Sequence, residues 1–187
     1  MVLEGNDREL IEGCQRGEAD AFRELFEANK DRVYSIALRY SGNEAVAMDI
    51  AQDTFLKLLS RIQDFRGDAN FDSWLYRLVV NSCLDHHRRG RRLIPVLDDF
   101  LHIFRASGET ALEELLRAEM QHHVRRVVAT LAPEQRIVVI LRYTEGLPYE
   151  QIAEILGCSI GTVASRLNRA HKVLERRLSH LRGGCGG

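Results

Sequence analysis

The order of apolar and polar positions divides the chain into helices. Asn6 or Asp7 can cap a short first helix that carries Leu10, Ile11 and Cys14 and closes near Gly17. Phe22, Leu25, Phe26, Val33, Ile36, Ala37 and Tyr40 then recur at helical spacing until Ser41-Gly42-Asn43 breaks the pattern. Asn43 caps a third helix with Ala47, Ala51, Phe55, Leu58, Leu59 and Ile62 expected inward, and Phe65 to Asn70 reads as a loop. A fourth helix is expected from about Phe71 to Arg89, its core stripe being Phe71, Trp74, Leu75, Leu78, Val79 and Cys83. Periodicity fades over residues 93–112 and resumes through Leu112, Leu115, Leu116, Met120, Val124, Val127, Val128 and Leu131. Pro133 opens another helix with Ile137, Val138, Ile140 and Leu141, which Gly146 closes.

The stretch from Gly146 to Leu178 reads as two helices joined by a tight turn. Pro148 suits a helix start, where a missing N–H costs nothing, and Ile152, Ala153, Ile155 and Leu156 form its apolar face. Gly157 stands where a residue without Cβ turns left-handed cheaply, and Ser159 can cap the next helix. Val163, Leu167, Ala170 and Leu174 make one buried stripe, which leaves Thr162, Ser165, Arg166, Asn168, Arg169, His171 and Lys172 outward. A cationic, donor-rich helix held by a short partner fits a helix-turn-helix whose second helix enters the DNA major groove. An amphipathic hairpin with a solvated basic face fits the same residues.

Composition narrows the choice. Few β-branched alternations and only 3 prolines in 187 residues point to an all-α protein of two small helical domains, the second containing the helix-turn-helix. The divisions expected are 1–92, a flexible linker at 93–112, a second domain at 113–182 and a glycine-rich tail at 183–187. No apolar run approaches the roughly 20 residues of a membrane span, and the acidic opening MVLEGNDREL has no apolar signal core, so a cytoplasmic protein is expected. Cys14, Cys83, Cys158 and Cys185 include no C-x-x-C pair, which removes zinc-ribbon and thioredoxin-like readings.

The net charge of −1 conceals an asymmetry: residues 1–60 hold 12 acids against 7 Lys/Arg, and residues 133–187 hold 5 against 8. Between them Arg88, Arg89, Arg91 and Arg92 form a basic cluster denser than a helix dipole requires, which points to phosphate contact. On the third helix Asp49, Gln52, Asp53 and Lys57 share one side, a pattern that suits either an ordinary solvated face or a docking surface for a basic helix. A metal-dependent hydrolase built on Glu44, Asp49, Asp53, His86 and His87 is disfavoured, because adjacent histidines on a helix point about 100° apart and no phosphate loop or nucleophile–base pair occurs. Neither a metal nor a cofactor is expected.

Three segments resemble, in order, those of the extracytoplasmic-function group of bacterial RNA polymerase sigma factors. DIAQDTFLKLL (Asp49 to Leu59) is similar to the polymerase-binding helix, FRGDANFDSWLYRLVVNSCLDHHRR (Phe65 to Arg89) to the segment that melts and reads the minus-ten element, and residues 131–170 to the domain that reads the minus-thirty-five element. The likeness spans about residues 19–178. It implies that Asp49, Gln52, Asp53 and Lys57 dock on the β′ clamp of core RNA polymerase, and that the chain also meets the β flap. It implies that Arg66, Gly67, Asp68, Ala69 and Asn70 hold an extruded non-template base, with Phe65, Leu78 and Asn81 nearby, while Arg88, Arg89, Arg91 and Arg92 hold phosphates. Thr162, Ser165, Arg166, Asn168, Arg169 and Lys172 would read or grip the upstream element. Ala164 departs from the Lys or Arg of many relatives, and Asn168 and His171 are uncommon choices, so the upstream sequence stays open.

The resemblance thus implies a non-enzymatic, stress-responsive transcription factor that binds core polymerase and promoter DNA and is restrained by an anti-sigma factor. The alternative is a stand-alone helix-turn-helix regulator. It explains residues 146–178 equally well and leaves the acidic face and the arginine cluster without a role.

Overall fold

Asparagine caps start the two helices at the centre of the front half. The computed structural model describes residues 5–67, 70–90, 124 and 126–182, and among these only helices, turns and loops occur. Asn43 accepts the Val46 N–H at 3.0 Å and begins α3, Glu44–Arg61, after α1, Gly5–Gln15, and α2, Ala19–Ser41. Asn70 accepts the Asp72 N–H at 2.9 Å and begins α4, Phe71–Arg89. A 3₁₀ turn, Ile62–Asp64, connects α3 to the loop, and the Gln15 amide holds it by donating to the carbonyls of Ile62 and Phe65 at 2.9 and 2.8 Å. Asp72 pairs with Arg32 at 2.7 Å, which fixes the start of α4 against α2.

The back half contains α5, Pro133–Tyr143, α6, Tyr149–Leu156, and α7, Ile160–Arg182. Gly157 has φ 60° and its N–H returns to the Glu154 carbonyl, so the turn between α6 and α7 uses the left-handed conformation that glycine adopts without a Cβ clash. Ser159 accepts the Thr162 N–H at 3.1 Å, the cap expected at the start of α7. Residues 93–112, expected as a linker, and 183–187, expected as a tail, lie outside the described residues.

The two halves pack against each other. Their buried apolar residues form one continuous core, from Ile11 and Leu25 through Leu75 and Val79 to Ile137, Ile152 and Leu167. Tyr76 and Val80 of α4 are buried although they lie outside its expected stripe, and Ser73 on the same side is buried too. Helix α6 covers this side: the Gln151 amide donates to Ser73 Oγ at 3.2 Å, and Arg77 donates to the Glu154 carbonyl at 3.0 Å. Tyr76 donates to Glu145 at 3.1 Å, and burial pushes its hydroxyl up to about 12.

Arg136 is the group least expected in this interior. Only 7% exposed, it donates to the Tyr40 carbonyl at 2.8 Å, the Leu131 carbonyl at 3.2 Å and the Ala129 carbonyl, and its guanidinium lies 5.3 Å from the Tyr40 ring centre. Tyr40 sits one residue from the end of α2, where carbonyls lack helical partners, so the second half caps a helix of the first. Burial lowers the Arg136 pKa and raises that of the Tyr40 hydroxyl. Arg136 Nε and the Tyr40 hydroxyl find no hydrogen-bond partner among the described residues.

Candidate functional site

Helix α3 shows an acid face and, beside it, an unexpected apolar one. Asp49 and Gln52 are exposed and Asp53 is partly so. Met48, Leu56 and Leu59, at helical steps of eight and three, are 60%, 57% and 50% exposed. Leu59 was expected inward. Leu58 and Ile62, one turn apart, fill that part of the core, and Leu59, about 100° around the helix from Leu58, stays outside it. Lys57, expected on the same docking face, is engaged elsewhere. It turns across to α4, 3.1 Å from both Asp85 and Ser82, and keeps only 25% of its side chain exposed. Its long stem lets it leave the face that its position on the helix assigns it.

The loop after α3 is anchored by rings. Phe65 packs edge-on against Phe71 at 5.7 Å and tilted against Trp74 at 5.3 Å. Phe65 and Leu78, expected near the base pocket, are both buried and support the loop and α4 from within. Arg66, Gly67 and Asn81 are exposed, and Asn70 is engaged as the cap of α4. Asp68, Ala69, Arg91 and Arg92 lie outside the described residues.

The end of α4 meets α3 in a network of ion pairs. Arg88 pairs with Asp85 at 3.1 Å and Arg89 with Asp53 at 3.5 Å, yet the two arginine side chains remain 74% and 71% exposed. Asp49, Gln52, Asp53, His86, Arg89 and Gly90 line one shallow groove. The structure thus joins residues that the sequence divided between two partners. Glu44, Asp49, Asp53, His86 and His87 do not assemble into a metal site: no group of three or more potential ligands converges among the described residues.

On α7, Asn168, Arg169 and Lys172 are exposed. Thr162 shares a hydrogen bond with Ser159 at 2.9 Å, Ser165 donates to the Thr162 carbonyl at 2.9 Å, and Arg166 reaches Cys158 Sγ at 3.9 Å. These three are partly engaged inside the turn, and the open donors are the other three. His171 Nε2 lies 2.7 Å from the Tyr143 hydroxyl, a contact between α7 and α5 that the sequence did not suggest.

Two helical halves, a capped helix-turn-helix and an acid face set against an arginine-rich helix end match two family descriptions. Residues 25–93 match Sigma-70 region 2, and residues 122–174 match Sigma-70, region 4. The RNA polymerase sigma-H factor of Pseudomonas aeruginosa is 32% identical over 191 residues, covering 97% of this chain and 98% of its own. The ECF RNA polymerase sigma-E factor of Haemophilus influenzae is 32% identical over 193 residues, covering 97% and 100%. This chain belongs to the extracytoplasmic-function sigma factors. A solved relative, the sigma factor RpoE in complex with the anti-sigma factor NepR from Bartonella quintana, superposes with a TM-score of 0.63 at 26% identity, over 84% of this chain and 96% of that one. As a sigma factor the chain directs RNA polymerase to promoters, and the relatives it matches are not enzymes.

Proposed function

We propose that the sigma-factor activity is divided among three faces. Asp49, Gln52 and Asp53, with the exposed apolar row Met48, Leu56 and Leu59, dock on the β′ clamp of core polymerase. An acidic, partly apolar helix face suits an amphipathic basic helix, because charge steers the approach and apolar burial holds the contact. The loop 66–70 and Asn81 take an unstacked non-template base, and Arg88, Arg89, Arg91 and Arg92 hold the backbone of the melted strand. Asn168, Arg169 and Lys172 make the principal contacts to the minus-thirty-five element, with Thr162, Ser165 and Arg166 shaping the turn behind them. Region 4 meets the β flap.

The observation that carries this reading is the exposed acid–apolar face of α3, which a plain helix-turn-helix regulator has no use for. Because the solved RpoE relative is held by an anti-sigma factor, a similar protein partner for this chain is proposed, competing for the same α3 face. No helix among the described residues is long and apolar enough to cross a membrane, and the proposed site of action is the cytoplasm, with polymerase and chromosome. No covalent chemistry is assigned to the chain.

Co-elution with core polymerase, followed by run-off transcription from a promoter library, tests the whole reading. Stoichiometric co-elution and initiation from a shared pair of spaced elements are expected. Tight, sequence-specific binding to duplex DNA by the isolated chain, without co-elution, would replace it with the stand-alone regulator.

A further inference from the structure

The loop assigned to an unstacked base leaves the core at a single residue. Phe65 is buried, and its ring is fixed by Phe71 and Trp74. The next two residues, Arg66 and Gly67, are exposed. The peptide plane between Phe65 and Arg66 therefore sets the direction in which the loop departs. Its oxygen is the Phe65 carbonyl, and planarity makes the Arg66 N–H follow wherever that oxygen is held.

That oxygen is held from another helix. The side-chain amide of Gln15 carries two hydrogens, and both are engaged. One goes to the Phe65 carbonyl at 2.8 Å and the other to the Ile62 carbonyl at 2.9 Å. The Ile62 carbonyl also accepts the Phe65 N–H at 3.2 Å, so one side chain grips both ends of the 3₁₀ turn. Gln63, inside that turn, donates from its own amide to the Gln15 carbonyl, which stands at the end of α1 where carbonyls lack helical partners. The tie runs in both directions between α1 and the root of the loop.

Helix α1 is a firm support for this grip. Ile11 and Cys14 are buried in the core. Gly13 lies so close to α2 that a Cβ there would stand 2.7 Å from the Cβ of Ala21. Gln15 itself precedes residues 25–93, the stretch that matches region 2. A pocket for an unstacked base gains from walls that are set before the base arrives, because a loop ordered only on binding loses affinity to that ordering.

We propose that Gln15 is a positioning residue for base capture: by fixing the Phe65 carbonyl it aims the loop that begins at Arg66, and it extends the strand-opening machinery back to α1. This rests on the reading of that loop given above. The test uses holoenzyme assembled with core polymerase on a promoter recovered from the run-off library. Each non-template base of its minus-ten element is replaced in turn by an abasic site, and opening is followed by the permanganate reactivity of melted thymines. The unmodified protein is expected to show one position at which the missing base lowers opening most. Gln15→Ala and Gln15→Glu are expected to lower opening on the intact promoter by roughly tenfold, the worth of one or two net hydrogen bonds. Gln15→Glu keeps the side-chain length and, ionised, has no hydrogen to donate. Both variants are also expected to lose the extra sensitivity at that one position, since a misaimed loop gains little from a base it no longer holds. Co-elution with core polymerase is expected to stay unchanged in both. A reduction equal at every position, or an unchanged profile, overturns the inference and leaves the reading of the loop intact. Loss of co-elution in both variants marks a purely structural role and overturns it as well. A flat profile in the unmodified protein overturns the reading of the loop and this inference with it.

Discussion

Single side chains carry the sharpest distinctions. Asp53 lies on the proposed docking face of α3 and Arg169 on the open side of α7, on different elements. Asp53→Arg should therefore abolish co-elution with core polymerase. Arg169→Ala should leave co-elution unchanged and lower promoter use by roughly ten- to a hundredfold, the worth of one good contact to DNA of about 1–3 kcal/mol. Cys83 makes a different kind of prediction. Fully buried, its thiol is pushed up to about 12 by burial, from an ordinary value of 9.0. The folded state keeps the proton that the unfolded chain gives up above pH 9, so this thiol's stabilisation is complete below pH 9 and is lost as pH rises from 9 toward 12. Urea midpoints should fall between pH 8 and pH 10, and more shallowly in Cys83→Ala, whose absolute stability is lower because of the cavity it leaves.

Helices and turns were the most legible scale. Asn43, Gly157 and Ser159 act at the positions where the residue pattern put a cap, a stop and a cap, because those roles are local and need only a side-chain oxygen or a missing Cβ. Gly157→Ala should cost about 1–2 kcal/mol, since it forces a Cβ into the left-handed region, and should lower the melting temperature by several degrees. What escaped the pattern was longer in reach. Leu59 follows the spacing of a core residue, but its neighbours Leu58 and Ile62 fill the space. Lys57 sits on the acid side by position and leaves it by side-chain length. Phe65 reads as a loop residue and is held inside by Phe71 and Trp74, a ring cluster that no local rule announces. Arg136 follows Pro133-Glu134-Gln135 in the first turn of α5, and the pattern gave it no role. Its burial depends on the end of α2, 96 residues earlier.

At the scale of the whole molecule, the sequence showed two halves and not their contact. Tyr76 and Val80 fall off the main stripe of α4 because they belong to a second buried side, visible only once α6 and the segment before it are in place. The resemblance supplied the division into two DNA-reading parts, and packing showed that they meet through α4 and α6. The isolated chain should accordingly bind minus-thirty-five duplex weakly, near the non-specific range of about 10⁻⁴–10⁻⁶ M at physiological salt. Added core polymerase should tighten promoter binding by at least a hundredfold in a gel-shift or anisotropy titration, as separate modest contacts become one intramolecular set.

The bond between Asp53 and Arg89 gives this assembly a sense of direction. A polymerase helix that withdraws Asp53 strips Arg89 of its own carboxylate, and a phosphate that captures Arg89 leaves Asp53 bare for polymerase. Linkage makes the two effects equal in size, and for so exposed a pair that size is about 0.2–1 kcal/mol. Small as it is, it has one sign: on the proposed assignment of Asp53 and Arg89, polymerase and promoter would each recruit the other through a single exchange of counter-charges.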